Sequence, residues 1–171
     1  EQQILPAGVL QFVGGSLQDF FNVLDGQDTV AFTGSAATGS FLRRHESVVN
    51  HNVSFNVEAD SLNTAALGND LDTDDEAYQL FLKNLATEIT QKAGQKCTAI
   101  RRIFVPKDKI DQVQEDLIER FSDIKVGNPE LREVQVGPLA TAQQKTDALA
   151  GIGKLVEDGA TLFFGTPDKP E

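Results

Sequence analysis

The stretch TVAFTGSAATG, residues 29–39, decides the fold. Its first five residues form a short apolar, β-branched run typical of a strand, and Gly-Ser follows at once before a segment that can form a helix. Such a turn points backbone N–H groups outward, where the helix dipole favours an anion such as a phosphate. The spacing lacks the G-x-G-x-x-G pattern, so taken alone the turn is read more readily as an ordinary strand–turn–helix connection.

The rest of the chain repeats the alternation of strand and helix that this turn introduces. Predicted helices follow Ser16, follow the turn as far as about residue 49, begin after the acidic run at 70–76, and cover 108–124 and 141–158. Predicted strands cover 8–13, 29–33, 53–58, 64–67, 101–105 and 160–164. Strands separated by helices of this length predict βαβ units, and therefore an α/β fold with a mostly parallel sheet.

Composition excludes several classes of function. The 171 residues include 26 acidic and 15 basic side chains, a formal net charge of −11, which works against nucleic-acid binding. No apolar run approaches the roughly 18 to 20 residues that a membrane span requires. The single cysteine excludes an internal disulfide framework and favours a reducing, cytoplasmic compartment.

That cysteine is the first candidate for chemistry. Cys97 closes the sequence Gly94-Gln95-Lys96-Cys97, just past the predicted end of a helix. A neighbouring cation favours the thiolate, the nucleophilic form of a cysteine. The alternative is a small buried hydrophobic residue, the usual role of a free cysteine.

Glu58 is the second candidate. It ends an alternating strand with Val53, Phe55 and Val57 on one side, so it is expected to be partly buried at a strand tip. Ligands of α/β sheets bind at the carboxyl ends of strands, where a desolvated carboxylate can transfer protons. The alternative is a surface acid at the end of a strand.

No metal site is predicted. The acidic run at 70–76 precedes a long helix and fits the positive end of its dipole, and the EF-hand spacing is absent. His45 and His51 have no partners at ligand spacing, so both are interpreted as surface residues.

Three signals follow one another along the chain: a phosphate turn, a strand-end glutamate and Gly-Gln-x-Cys. In this order they resemble the pattern of the aldehyde dehydrogenase superfamily. Further matches are LPAGVL at 5–10, VGNP at 126–129 and VGPL at 136–139. The resemblance covers essentially the whole chain. It implies an aldehyde dehydrogenase-like α/β fold, with a parallel sheet and flanking helices.

A departure from the usual family pattern indicates which members of the family the chain is most similar to. Most members follow the glutamate with a Leu-Gly-Gly-Lys type sequence, whereas here ADSLN occupies 59–63. With GSAATG at 34–39 and KAGQKCTAIRR at 92–102, this is similar to the dehydrogenase half of the bifunctional phenylacetate-degradation enzymes, in which a hotdog-fold hydratase domain follows. The CoA-semialdehyde dehydrogenases of benzoyl-CoA degradation match nearly as well. Either resemblance implies a CoA-linked semialdehyde substrate in aromatic catabolism.

The resemblance also implies roles for individual residues. Cys97 would attack the aldehyde to give a thiohemiacetal and then a thioester, and Glu58 would activate the water that hydrolyses it. The cofactor would be NADP, or NAD, and no residue is assigned to a 2′-phosphate. The implied cofactor-binding residues are Thr33, Gly34, Ser35, Gly39 and Ala59.

The chain is expected to be an internal fragment, because it begins at Glu1 and contains no methionine. By the resemblance, residues 1–57 are the C-terminal part of a dinucleotide-binding domain and 58–171 the N-terminal part of a catalytic domain. The fragment alone is expected to be inactive, and the full-length protein to be a homo-oligomer.

Two other classes of function remain open. A cysteine-dependent acyltransferase without a cofactor would need a histidine near Cys97, which the context of His45 and His51 does not offer. A noncatalytic assembly domain would be free to lose Cys97 or Glu58, and the chain has both.

Overall fold

The computed structural model describes residues 4–15 and 19–165. Four strands and five α-helices are described, with short 3₁₀ turns at Phe20–Val23, Gln91–Gly94 and Lys107–Lys109. In chain order they are β1 (Thr29–Gly34), α1 (Ala36–Arg43), α2 (Glu46–Asn50), β2 (Ser54–Ala59), β3 (Asn63–Ala66), α3 (Glu76–Thr90), β4 (Ile100–Phe104), α4 (Ile110–Ser122) and α5 (Ala142–Glu157).

The chain divides into two compact units, Glu1–Asp60 and Ser61–Glu171. In the first unit β1 and β2 pair in parallel, and α1 and α2 connect them. Val30 and Phe55 pack against a small core because alternate strand residues point to the same face. The buried members of this core are Leu24, Val48 and Val53.

In the second unit β3 and β4 pair in parallel, with α3 as the connection between them. Helical periodicity predicts one apolar stripe on α3, formed by Tyr78, Phe81, Leu82, Leu85 and Ile89. Tyr78, Leu82 and Leu85 are buried, and Phe81 and Ile89 are half-buried against the same core. The stripe packs with α4 in one core, whose buried residues are Leu67, Tyr78, Leu82, Leu85, Val113 and Leu117.

Both described sheets are parallel and have helical connections, so the predicted α/β class is confirmed. Three predicted elements are wrong in detail. The helix expected to run to about residue 49 breaks at Arg44, because His45 has extended backbone and its Nδ1 caps α2 at Ser47 N–H, 3.3 Å away. Residues 8–13 and 160–164 form no strand, since no described strand pairs with either segment. Ser16, the predicted helix start, lies outside the described residues.

Within the described ranges, no helix combines the length and the apolar character needed to cross a membrane.

Candidate active site

The predicted phosphate turn begins at the carboxyl end of β1. Ser35 caps α1, because its Oγ accepts a hydrogen bond from Thr38 N–H at 3.1 Å and donates one to Thr38 Oγ1 at 2.9 Å. The carboxylate of Asp60 accepts a second one, from Ala36 N–H at 3.2 Å. The turn was expected to offer free N–H groups, but side-chain oxygens already accept from two of them.

Gly39 lies one turn into α1 and is buried. A Cβ at this position would lie 2.8 Å from Val57 Cγ1, closer than real Cβ contacts allow. The glycine therefore lets α1 pack closely on β2. Its predicted part in cofactor binding stays a prediction, and the observed contact indicates an indirect contribution through helix placement.

The register of the first sheet brings the predicted residues to one edge. Glu58 pairs with Thr33 and Ala59 pairs with Gly34, so the carboxyl ends of β1 and β2 lie side by side. Ser35 follows directly from β1. In open α/β sheets this edge is where ligands bind.

Glu58 is exposed, and the expectation of partial burial is wrong. Strand alternation explains the difference: Phe55 and Val57 point to the half-buried face of β2, whereas Glu58 shares the exposed face with Asn56. An exposed carboxylate at a strand end is accessible to water and to a ligand.

Asp60 is a residue that the sequence reasoning missed. Its φ is +43°, a left-handed conformation uncommon for a residue other than glycine, and its carboxylate ties the end of β2 to the start of α1. The signal available in the sequence was the departure from Leu-Gly-Gly-Lys, which puts an aspartate where the family pattern has a glycine.

Cys97 is exposed and lies in a loop between the 3₁₀ turn and β4. The backbone just before this loop is conformationally unusual, because Lys92, Ala93 and Gly94 all have φ between +52° and +73°. Residues in sparsely populated backbone regions persist only where the surroundings hold them, and they concentrate at functional sites.

Lys96, the cation predicted to favour the Cys97 thiolate, is paired elsewhere. Its ammonium lies 2.9 Å from a carboxylate oxygen of Glu88 and donates to Gln91 Oε1 at 2.8 Å. Both come from the end of α3 and the turn after it, so Lys96 holds the loop against that helix. Its charge is largely balanced by Glu88, which weakens its effect on the thiol.

Several side chains bind the backbone around Cys97. Asn63 Nδ2 donates to Cys97 O at 2.7 Å and to Ala99 O at 3.2 Å, and Ser61 Oγ donates to Cys97 O at 2.5 Å. On the other side of the loop, Arg101 Nη2 donates to Gly94 O at 2.8 Å. Sequence reasoning missed the contacts of Ser61 and Asn63 because they span 34 to 36 residues of chain.

Gln95 connects the cysteine loop to the loops downstream of α4. Its Oε1 accepts from Ala140 N–H at 3.0 Å, and its Nε2 donates to Lys92 O at 3.1 Å. The two downstream motifs also pair with each other, since Val126 and Val136 form a parallel bridge. The segments at 126–129 and 136–140, far from Gln95 in the sequence, are thus connected to the Gly-Gln-Lys-Cys loop.

Glu58 belongs to the first unit and Cys97 to the second, so their approach to one another stays a prediction.

A family model described as the aldehyde dehydrogenase family matches residues 1–171. The chain belongs to the aldehyde dehydrogenase family. Among curated proteins it is 39% identical, over 168 residues, to 3,4-dehydroadipyl-CoA semialdehyde dehydrogenase of Aromatoleum evansii, and the match covers 98% of this chain and 33% of that protein. The chain thus spans about a third of the length of this curated relative.

Solved structures agree with this assignment. A Mycobacterium tuberculosis aldehyde dehydrogenase in complex with NAD+ superposes with a TM-score of 0.74 at 26% identity, over 84% of this chain and 28% of that chain. Betaine aldehyde dehydrogenase from Staphylococcus aureus, also with NAD+, gives 0.71 at 25% identity, over 84% of this chain and 27% of that chain. The fold is that of part of an aldehyde dehydrogenase, as predicted.

Proposed function

We propose that the whole protein is an NAD(P)-dependent aldehyde dehydrogenase that oxidises a CoA-linked semialdehyde to the acid, with Cys97 as nucleophile and Glu58 as base. The observation that carries the proposal is the exposed Cys97 thiol on a loop whose backbone is held from several sides. A nucleophile has to be both accessible and fixed in position, and this loop meets both conditions.

The turn after β1 supports binding of a nicotinamide cofactor. Ser35 caps α1, Gly34 removes side-chain bulk at the end of β1, and the helix dipole favours the anionic pyrophosphate. The Asp60 carboxylate already accepts a hydrogen bond from Ala36 N–H. A phosphate oxygen would have to replace it there or bind to the other N–H groups of the turn. Thr33 and Ala59 line the same strand edge, and Gly39 acts through close packing. When bound, the cofactor accepts the hydride released from the aldehyde carbon.

In the proposed reaction Cys97 attacks the aldehyde carbon. The thiol proton passes to solvent water, an S–C bond forms, and the carbonyl oxygen becomes an alkoxide that the Cys97 backbone N–H would stabilise. Loss of hydride from that carbon restores the C=O bond and leaves a thioester on Cys97. The aldehyde is thereby oxidised by two electrons while the sulfur keeps its oxidation state.

Glu58 completes the cycle by deacylation. It takes a proton from water, the hydroxide adds to the thioester carbon, and the C–S bond breaks to release the carboxylic acid and the Cys97 thiolate. Its exposure at the strand edge is compatible with access to water.

The substrate class rests on the similarity to the Aromatoleum evansii enzyme, whose name specifies a CoA-linked semialdehyde. We place the protein in aromatic catabolism, on a phenylacetate-type route with NADP, or on a benzoyl-CoA-type route as the alternative. We also propose a homo-oligomeric, cytoplasmic enzyme; light scattering of the full-length protein checks the oligomer.

The test compares 3,4-dehydroadipyl-CoA semialdehyde with the same semialdehyde lacking CoA, each with NADP and with NAD. Wild-type full-length protein is expected to show kcat/KM at least about tenfold higher for the CoA-linked substrate, because binding of the CoA group contributes to transition-state stabilisation. Cys97→Ala is the matched control for background reduction. Equal rates with and without CoA would contradict the substrate class, and the absence of turnover with every aldehyde would favour a noncatalytic assembly domain.

A further inference from the structure

We propose that Ser61 and Asn63 are positioning residues that hold the Cys97 carbonyl and thereby orient the Cys97 thiol for attack. The inference rests on the proposed function, since it concerns the same nucleophile. It adds two residues to which no role in the reaction has been assigned above. They lie in ADSLN, where this chain departs from the usual pattern after the glutamate.

Both lone pairs of one carbonyl oxygen are used. Ser61 Oγ and Asn63 Nδ2 donate to Cys97 O at 2.5 and 2.7 Å. Asn63 also reaches Ala99 O at 3.2 Å, so one amide holds two carbonyls of the cysteine loop. These contacts span 34 to 36 residues of sequence and are tertiary rather than local.

The backbone geometry explains how Asn63 reaches the loop. It is the first residue of β3, it pairs with Ile100 of β4, and a register irregularity separates it from Thr64. Such irregularities change the direction of a side chain at the end of a strand. Asn63 is half-buried, so its amide is shielded from full competition with water.

Fixing this carbonyl affects the nucleophile itself. The peptide group that joins Cys97 to Thr98 is planar, so holding its oxygen fixes the position of the Cys97 Cα and limits the directions in which its Cα–Cβ bond can point. The contacts of Lys96, Gln95 and Arg101 hold neighbouring residues. Ser61 and Asn63 act on Cys97, where a displacement of about 1 Å can cost about a hundredfold in rate.

The experiment uses the full-length protein with Ser61→Ala, Asn63→Ala and Asn63→Asp. Asn63→Asp keeps the shape but replaces the NH₂ donor by an acceptor facing two carbonyls. Thr64→Val is the matched control, because the Thr64 hydroxyl makes a similar exposed bond, to Leu62 O at 3.4 Å, without reaching Cys97. Ser61→Thr keeps the hydroxyl and tests rescue.

Each variant is measured for kcat, for KM of cofactor and aldehyde, for the rate of Cys97 alkylation by iodoacetamide, and for thermal stability. The expected result is a kcat about tenfold to a hundredfold lower in Asn63→Ala and Asn63→Asp, with cofactor KM within about twofold of wild type. The rate of Cys97 alkylation should change by less than about threefold, because iodoacetamide is small, is not held in a binding site and does not need an oriented thiol. Ser61→Thr and Thr64→Val should resemble wild type.

Three outcomes overturn the inference. The first is wild-type kcat in Ser61→Ala and Asn63→Ala. The second is a loss of kcat that follows thermal stability alone. The third is an equal loss in Thr64→Val. Should either alanine variant fail to fold, the other and Asn63→Asp decide. Failure of the proposed function looks different, since wild type would then lack aldehyde oxidation or Cys97→Ala would retain it.

Discussion

At the scale of single residues, the cysteine loop shows how an exposed thiol is held without being buried. Cys97 is exposed, yet its carbonyl accepts two hydrogen bonds. The ammonium of Lys96, its neighbour, is bound by Glu88 and Gln91. The loop is therefore held through its backbone, and the Cys97 thiol stays exposed.

Cys97→Ala in the full-length protein is expected to abolish NAD(P) reduction by aldehydes and to leave cofactor affinity within about twofold of wild type. The thiol is the proposed nucleophile, whereas the turn at Gly34 and Ser35 belongs to the other unit. Steady-state kinetics and fluorescence titration of the cofactor check the two parts. Residual turnover above a few per cent of wild type would rule out the nucleophile assignment.

At the scale of elements, contacts between helices and strands define both units. In the first unit, α1 lies close to β2 because Gly39 leaves room for Val57. In the second, the hydroxyl of Tyr78 on α3 is buried and donates at 2.5 Å to Asp116 on α4, which is half-buried at the edge of the core. The first contact depends on the missing side chain of Gly39, and the second depends on the hydroxyl of Tyr78.

Gly39→Ala is expected to destabilise the protein. Overpacking costs about 1–3 kcal/mol, which exceeds the gain of about 1 kcal/mol in helix propensity. Thermal or urea denaturation measures the loss, and a second substitution, Val57→Ala, should restore part of it by removing the clashing Cγ1. Gly151→Ala in α5 is the matched control, since its Cβ meets nothing within 4 Å and should stabilise. A Gly39→Ala protein as stable as the control would contradict the packing account.

The hydrogen-bonded pair of Tyr78 on α3 and Asp116 on α4 predicts that the free energy of unfolding depends on pH. Burial, together with the hydrogen bond to Asp116, raises the pKa of Tyr78 well above its ordinary value of about 10. Above pH 10 the unfolded chain therefore loses this proton while the folded protein keeps it. Stability attributable to this group is constant near neutrality and falls by up to about 1.4 kcal/mol per pH unit above pH 10.

Denaturation of wild type and Tyr78→Phe at pH 7 and near pH 11 tests this dependence. Tyr78→Phe should be less stable at pH 7 by about 1.5–3 kcal/mol, because a hydrogen bond to a charged group is lost. The difference between the two proteins should shrink at high pH. A difference that stays constant or grows would show that the tyrosine titrates normally in the folded state.

Much of the fold followed from periodicity and turn residues. The spacing of apolar residues located α3 and α4, and the run before Gly34 located β1 to within one residue. The break at Arg44 and the irregular segments at 8–13 and 160–164 did not follow, because strand pairing and capping by His45 depend on partners elsewhere.

The candidate site, too, could be predicted from the sequence only in part. Cys97, Glu58 and the turn could be selected from local sequence and a resemblance. The exposure of Glu58, the ion pair of Lys96, and the contacts of Asp60, Ser61 and Asn63 required the structure. The contacts of Asp60, Ser61 and Asn63 span 24 to 36 residues of chain, which local patterns do not encode. The Lys96–Glu88 pair spans eight residues and depends on how the loop folds back on α3, whereas the exposure of Glu58 follows from the alternation of β2.

At the scale of the whole molecule, the account requires two units to act together. Thr33, Gly34, Ser35, Glu58 and Ala59 belong to the first and Cys97 to the second. The chain spans about a third of the length of its curated relative, so the complete site is a proposal about the full-length protein. The 171-residue chain alone is expected to show no turnover under conditions in which the full-length protein is active.

The most direct measurement of the central claim is rapid-mixing kinetics of full-length Glu58→Gln with a CoA-linked semialdehyde and NAD(P), followed by mass analysis of the acid-quenched protein. Glutamine keeps the side-chain volume but cannot accept the proton from water. The account predicts a burst of reduced cofactor of up to one equivalent per site, little steady-state rate, and an acyl group retained on Cys97. Unchanged steady-state turnover with no acyl group on Cys97 would contradict it, and would leave Glu58 as a surface acid at the end of β2.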